Sequence, residues 1–96
     1  MRLGIDVGKV RIGVARSDPH GMLATPVETV TRAANGTSDI ERIVQLCREL
    51  DVVEIIVGLP LALSGARTAS TEDASGFAER LYEAARLPTR MIDERL

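Results

Sequence analysis

The chain has 96 residues, with 12 basic and 14 acidic side chains for a net charge of -2, which leaves room for one small domain and excludes a kinase or ATPase of two lobes. With 45% hydrophobic and 27% charged residues, the composition is globular, neither fibrous nor disordered. Phe77 and Tyr82 are the only aromatic residues, too few for the rows of stacking rings on which many single-strand binders hold bases, and the acidic balance confines any nucleic-acid contact to a local patch.

Leu3, Ile5 and Val7 alternate with Gly4, Asp6 and Gly8, which predicts a first strand. A short turn at Gly8-Lys9 leads to Ile12 and Val14 alternating with Arg11, Gly13 and Ala15, the second half of a hairpin. Ser17-Asp18-Pro19-His20-Gly21 is dense in turn formers and reverses the chain into a third strand from about Met22 to Val30, where Pro26 predicts a sheet edge because a missing donor costs least there. Ser38 with Glu41 three residues later predicts a capping box before the apolar stripe Ile40, Ile43, Val44 and Cys47, a helix to about Leu50. The β-branched run from Val52 to Val57 predicts a parallel strand covered on both faces, stopping at Gly58. Ser70 and Asp73 suggest a second cap, followed by Ala74, Phe77, Ala78, Leu81, Tyr82 and Ala85 at helical spacing. Pro88 ends that helix, and Thr89 to Ile92 reads as a last short strand.

Short hairpins make the first three strands antiparallel neighbours, and right-handed helical crossovers set the later two parallel to the first. The predicted class is α/β, a mixed five-stranded sheet in the order 3-2-1-4-5. The carboxyl ends of the first, fourth and fifth strands then open at one edge, where open α/β sheets bind ligands. Asp6, Gly58-Leu59-Pro60 and Asp93-Glu94-Arg95 meet there.

Asp is disfavoured in strands, and a buried lone carboxylate is costly unless paired or metal-bound, so Asp6 is either a turn cap or a ligand. Asp93 and Glu94 taken alone read as solvated carboxylates near a chain end; convergence with Asp6 changes that reading. Clustered carboxylates repel, and a hard divalent cation such as Mg2+ offsets the repulsion and can activate water for phosphodiester hydrolysis. Lys9, Arg11 and Arg16, with Arg67, Arg90 and Arg95, are candidate phosphate contacts or plain surface charge. His20 reads as a turn residue and Cys47 as core. Gly58-Leu59-Pro60 is either a backbone that admits substrate or the stop of a buried strand. The lone cysteine fits a reducing cytoplasm. The first fifteen residues form no secretory signal, and no apolar run approaches the roughly 20 residues of a membrane span.

Arg2-Leu3-Gly4-Ile5-Asp6-Val7-Gly8, Arg11-Ile12-Gly13-Val14-Ala15, Ile56-Val57-Gly58-Leu59-Pro60-Leu61 and Asp93-Glu94-Arg95-Leu96, in this order and spacing, closely resemble the YqgF/RuvX family across the chain. The resemblance implies a ribonuclease-H-like fold and a Mg2+- or Mn2+-dependent nuclease. Its expected roles are maturation of the 5′ end of the 16S ribosomal RNA precursor or, as an alternative, resolution of Holliday junctions, with structured RNA or branched DNA as partner. By motif match Asp6 and Glu94 carry over as catalytic, metal-binding carboxylates, with Asp93 as a neighbour; Lys9, Arg11 and Arg95 are the expected phosphate contacts. Where family members commonly carry asparagine and aspartate after the glycine-leucine-proline motif, this chain has Ala62-Leu63-Ser64-Gly65. Members continue past the aspartate-glutamate-arginine motif through a helix with a further catalytic aspartate. The expectation is one ribonuclease-H-like domain over residues 1–96, C-terminally truncated, lacking the last helix, with a sheet face left open to self-association as a homodimer. A non-catalytic nucleic-acid-binding module is the rival reading.

Overall fold

A computed structural model describes residues 1–18 and 23–94 of the chain. Five strands and two helices follow one another: β1 (Arg2–Val7), β2 (Arg11–Ser17), β3 (Leu23–Thr31), α1 (Ser38–Glu49), β4 (Glu54–Leu59), α2 (Ala69–Ala85) and β5 (Thr89–Asp93). The strand order is β3-β2-β1-β4-β5, with β1, β2 and β3 antiparallel neighbours and β4 and β5 parallel to β1. β1 is therefore central, as predicted, and Pro26 lies on an edge strand beside an irregularity in the β2–β3 ladder. His20 and most of the predicted turn around it lie outside the described residues.

Both helices pack on one side of this sheet. Leu3 and Ile5 of β1, Ile12 and Val14 of β2, and Ile55 and Val57 of β4 join Ile40, Ile43, Leu46, Phe77 and Leu81 in a single buried cluster. β4 is parallel to both neighbours and its Ile55, Ile56 and Val57 are buried on both faces, as predicted; the run from Val52 begins outside the strand, where Val52 is a buried loop residue and Val53 is exposed. Ile56 faces the side without helices, yet it is only 2% exposed; it pairs with Gly4 and Arg90, next to the ion pairs of Arg2 and Arg90 with Glu54 at 2.9 and 3.3 Å.

The helix starts differ from the predicted caps. α1 is capped at Thr37 with no side-chain bond to the cap, so the Ser38–Glu41 box does not form, since Ser38 already lies within the helix. Asp39 takes over the local work, accepting from the Ile40 N–H at 2.8 Å and the Ala33 N–H at 3.1 Å. In α2 the capping box is Thr68–Thr71, not Ser70–Asp73, and Asp73 is engaged elsewhere. Tyr82, predicted on the apolar stripe, is 47% exposed. Cys47 is buried as expected, and burial pushes its thiol pKa up. No helix among the described residues is long and apolar enough to cross a membrane.

Candidate active site

The site grows from the ends of three adjacent strands. In β1, Leu3 and Ile5 point into the core, so strand alternation turns Asp6 to the side without helices. Asp6 pairs with Gly13 of β2, and Ile5 pairs with Val57 of β4, which brings Gly58 next to Asp6 on the other flank. The carboxylate thus stands between two glycines and is exposed to solvent.

Glu94 reaches this point from β5. Gly58 pairs with Ile92, and the Glu94 N–H donates to the Leu59 carbonyl at 3.2 Å, which extends the ladder one step past β5. From there its side chain runs back across β4. A Cβ placed on Gly58 would stand 1.9 Å from Glu94 Oε1 and 2.7 Å from Cδ, so Glu94 occupies the space that any other residue at 58 would fill. Although Glu94 is exposed as a residue, its carboxyl is shielded by the sheet beneath it. Burial pushes the Glu94 pKa up, and the charge of Asp6 and a hydrogen bond with its side chain push it further. The acidic neighbour thus favours the protonated form of Glu94.

Asp93 takes a different direction. It is two residues beyond Met91, which packs against the core, so alternation along β5 sets it on the face opposite Asp6. Among the described residues no group of three or more histidine, cysteine, aspartate or glutamate side chains is placed to hold a metal ion. The donors brought together are Asp6 and Glu94. Their chemistry, all oxygen and doubly acidic, suits a hard cation such as Mg2+ or Mn2+, which keeps its remaining positions for water and phosphate oxygens.

The β1–β2 turn carries the predicted cations. The Gly8 N–H donates to the Arg11 carbonyl at 3.0 Å, and a Cβ at Gly8 would stand 2.6 Å from that oxygen, so this closure requires glycine. Lys9 and Arg11 are exposed, and no ion pair ties them down among the described residues. Arg11 shares the face of Gly13 and hence of Asp6. Arg95 lies outside the described residues. Arg67 is bound to Glu72 and Ser75 at 2.6 and 2.9 Å, and Arg90 to Glu54; these two serve the fold. A shallow depression of about 320 Å3 extends from Asp6 over Gly13 to Pro26 and Glu28. A larger one, about 540 Å3, lies between α1 and α2, lined by Ile40, Arg48 and Arg80, away from these carboxylates.

Sequence reading missed Arg32. Its backbone N–H donates to the Val10 carbonyl at 2.9 Å and its Nη1 to the Gly8 carbonyl at 2.9 Å, so one residue grips the turn at both ends. The same guanidinium forms a two-pronged pair with Asp73 at 2.8 and 2.9 Å and lies 5.5 Å from the centre of the Phe77 ring. Arg32 holds the Asp73 carboxyl below its ordinary range. No local pattern could show this pair, whose members are 41 residues apart in sequence.

A mixed sheet of this order, with carboxylates at the carboxyl ends of its central and fifth strands, has the ribonuclease-H-like architecture. Thermus thermophilus RuvC, solved in complex with a Holliday junction substrate, shares the fold: the TM-score is 0.61 at 14% identity, over 98% of this chain and 65% of that one. The family described as "RuvX: Holliday junction resolvase" matches residues 1–96, and the chain belongs to that family. It is 61% identical over 95 residues to a protein of Clavibacter michiganensis named "Putative pre-16S rRNA nuclease", covering 99% of this chain and 59% of the relative. A Leifsonia xyli protein of the same name is 60% identical over 96 residues, covering 100% of this chain and 61% of the relative. The chain therefore spans about three fifths of the length of these relatives.

Proposed function

We propose that the protein is a divalent-metal-dependent nuclease that hydrolyses phosphodiester bonds in the cytoplasm, and that its substrate is the 5′ end of the 16S ribosomal RNA precursor. The observation that carries the reading is the Glu94 carboxyl laid across Gly58 against Asp6. A fold gains no stability from holding two acids together, and the pair suits a site where a cation offsets their repulsion. The names of the relatives support a 16S ribosomal RNA precursor as the substrate.

In this reading Asp6 and Glu94 hold the cation, Mg2+ or Mn2+, through carboxylate oxygens. Bound there, the ion supplies charge neutralisation at the scissile phosphate and a more acidic water. Lys9 and Arg11 contact the flanking phosphates, and the Gly8 turn, gripped by Arg32, fixes where these cations stand relative to Asp6.

Cleavage by the full chain of an RNA carrying the 5′ end of the precursor, with Mn2+, tests the proposal. The parent is expected to cut and Asp6→Asn to lose about a hundredfold or more, as when a group that stabilises the transition state by several kcal/mol is removed. An Asp6→Asn variant as active as the parent overturns the site. Resolution of branched DNA is the second reading, favoured by the family description and the likeness to RuvC; a four-way junction assayed in parallel separates the two. Salt-sensitive binding of structured RNA without cleavage would instead establish a binding module, a reading favoured by the fact that only two carboxylates come together among the described residues.

A further inference from the structure

We infer that Gly58 is a positioning residue of the cation site: the absence of a side chain there is the passage through which Glu94 crosses β4 to reach Asp6. The inference rests on the reading of Asp6 and Glu94 as cation ligands.

Three glycines border the site, and they differ in what a methyl group would meet. At Gly8 it would stand 2.6 Å from the Arg11 backbone oxygen, so a substitution there deforms the turn itself. At Gly13 the nearest atom is Asp6 Cβ at 3.7 Å, an ordinary contact that an alanine tolerates. At Gly58 the three nearest atoms all belong to Glu94, at 1.9 Å for Oε1, 2.7 Å for Cδ and 2.9 Å for Cγ. These atoms belong to a flexible side chain and not to the backbone, so a methyl group at 58 leaves the strand in place and swings the Glu94 carboxyl out. Alanine also suits a strand interior better than glycine does. The effect of a substitution at 58 therefore falls on the position of Glu94 and not on the ladder. Nothing in the linear sequence distinguishes this glycine from a strand terminator, because its constraint comes from a residue 36 positions further on.

The test is Mn2+ binding to the full chain by titration calorimetry, beside thermal melts without metal. Gly58→Ala is expected to weaken Mn2+ binding at least tenfold, to the level of Glu94→Gln. The double variant should bind no more weakly than Glu94→Gln alone, since both changes remove the same ligand. Gly13→Ala should stay within twofold of the parent. A Gly58→Ala protein that binds Mn2+ like the parent while Glu94→Gln is weakened overturns this inference alone, and so does a double variant whose losses multiply. Parent-like binding by Glu94→Gln overturns the ligand assignment and this inference with it. If Gly58→Ala does not fold, the Gly58→Ala/Glu94→Ala double decides: recovery of a cooperative melt supports the steric passage, and failure to recover overturns it.

Discussion

The two sides of the sheet hold their acids in opposite ways. On the helix side, Asp73 faces Arg32, accepts two hydrogen bonds from it and is held below the ordinary aspartate value of 3.8. On the open side, Glu94 faces Asp6 and is raised above the ordinary glutamate value of 4.5, by burial first and then by its acidic neighbour. The first arrangement closes a structure: the Arg32 guanidinium links α2 to the β1–β2 turn and to the Phe77 ring. The second leaves a demand that a proton or a cation meets. The same contrast runs through the apolar residues, with branched aliphatics filling the helix side while glycines stand along the open side around Asp6. Apolar packing is concentrated on one face and the two facing acids on the other.

Neighbouring residues of β4 give the most direct way to break this contrast. Ile55 points into the helix-covered core and Ile56 away from it, at 0% and 2% exposure. Ile55→Ala should cost about 3–4 kcal/mol in denaturant unfolding, because helices on one side and sheet on the other prevent collapse of the cavity. Ile56→Ala should cost about 2 kcal/mol or less, since the stems of Arg2 and Arg90 can settle into the gap. Equal losses would show the open face to be as tightly packed as the core. A smaller effect concerns how α2 is anchored: Thr68→Ala should cost about 1 kcal/mol through loss of its cap, while Ser38→Ala, outside any box, should stay within about 0.5 kcal/mol.

The two acids sharpen the comparison through pH. Asp73 has a lowered pKa in the folded state, so its contribution is present above 3.8 and is lost as pH falls through the folded value. Asp73→Asn should therefore flatten the acid limb of a stability–pH curve, at a cost near neutrality of about 1 kcal/mol or less because the pair is partly solvated. Glu94 has the opposite sign: its contribution is present below 4.5 and is lost as pH rises through its raised value. Without metal, Glu94→Gln should be slightly more stable than the parent at neutral pH, the gain vanishing in acid. A Glu94→Gln protein that is less stable at pH 7 would show that the two carboxyls are not in conflict.

Much of the fold was legible because its signals are local. Alternation in Leu3-Gly4-Ile5-Asp6-Val7 and in Ile12-Gly13-Val14 sets strand faces by geometry alone, and handedness rules then leave little choice of sheet order. Asp6 and Glu94 could be named as candidates because strand ends on one edge must lie near each other. The capping residues were not legible, since serines and threonines crowd both helix starts and the choice among them depends on how the preceding loop enters the helix. The run from Val52 to Val57 correctly marked a buried parallel strand but not its start, because β-branched residues report an extended chain and the loop residues Val52 and Val53 look like strand.

The amino-acid sequence by itself determined the order of elements, the edge on which the acids converge and the membership of the chain in its family, because each rests on residue type, spacing and chain connectivity. Only the tertiary structure decided that Arg32 grips the β1–β2 turn, that Asp73 serves that arginine, that Asp6 is exposed, and that Glu94 fills the space beside Gly58. Each of these is a contact between residues distant in sequence, fixed by packing in three dimensions.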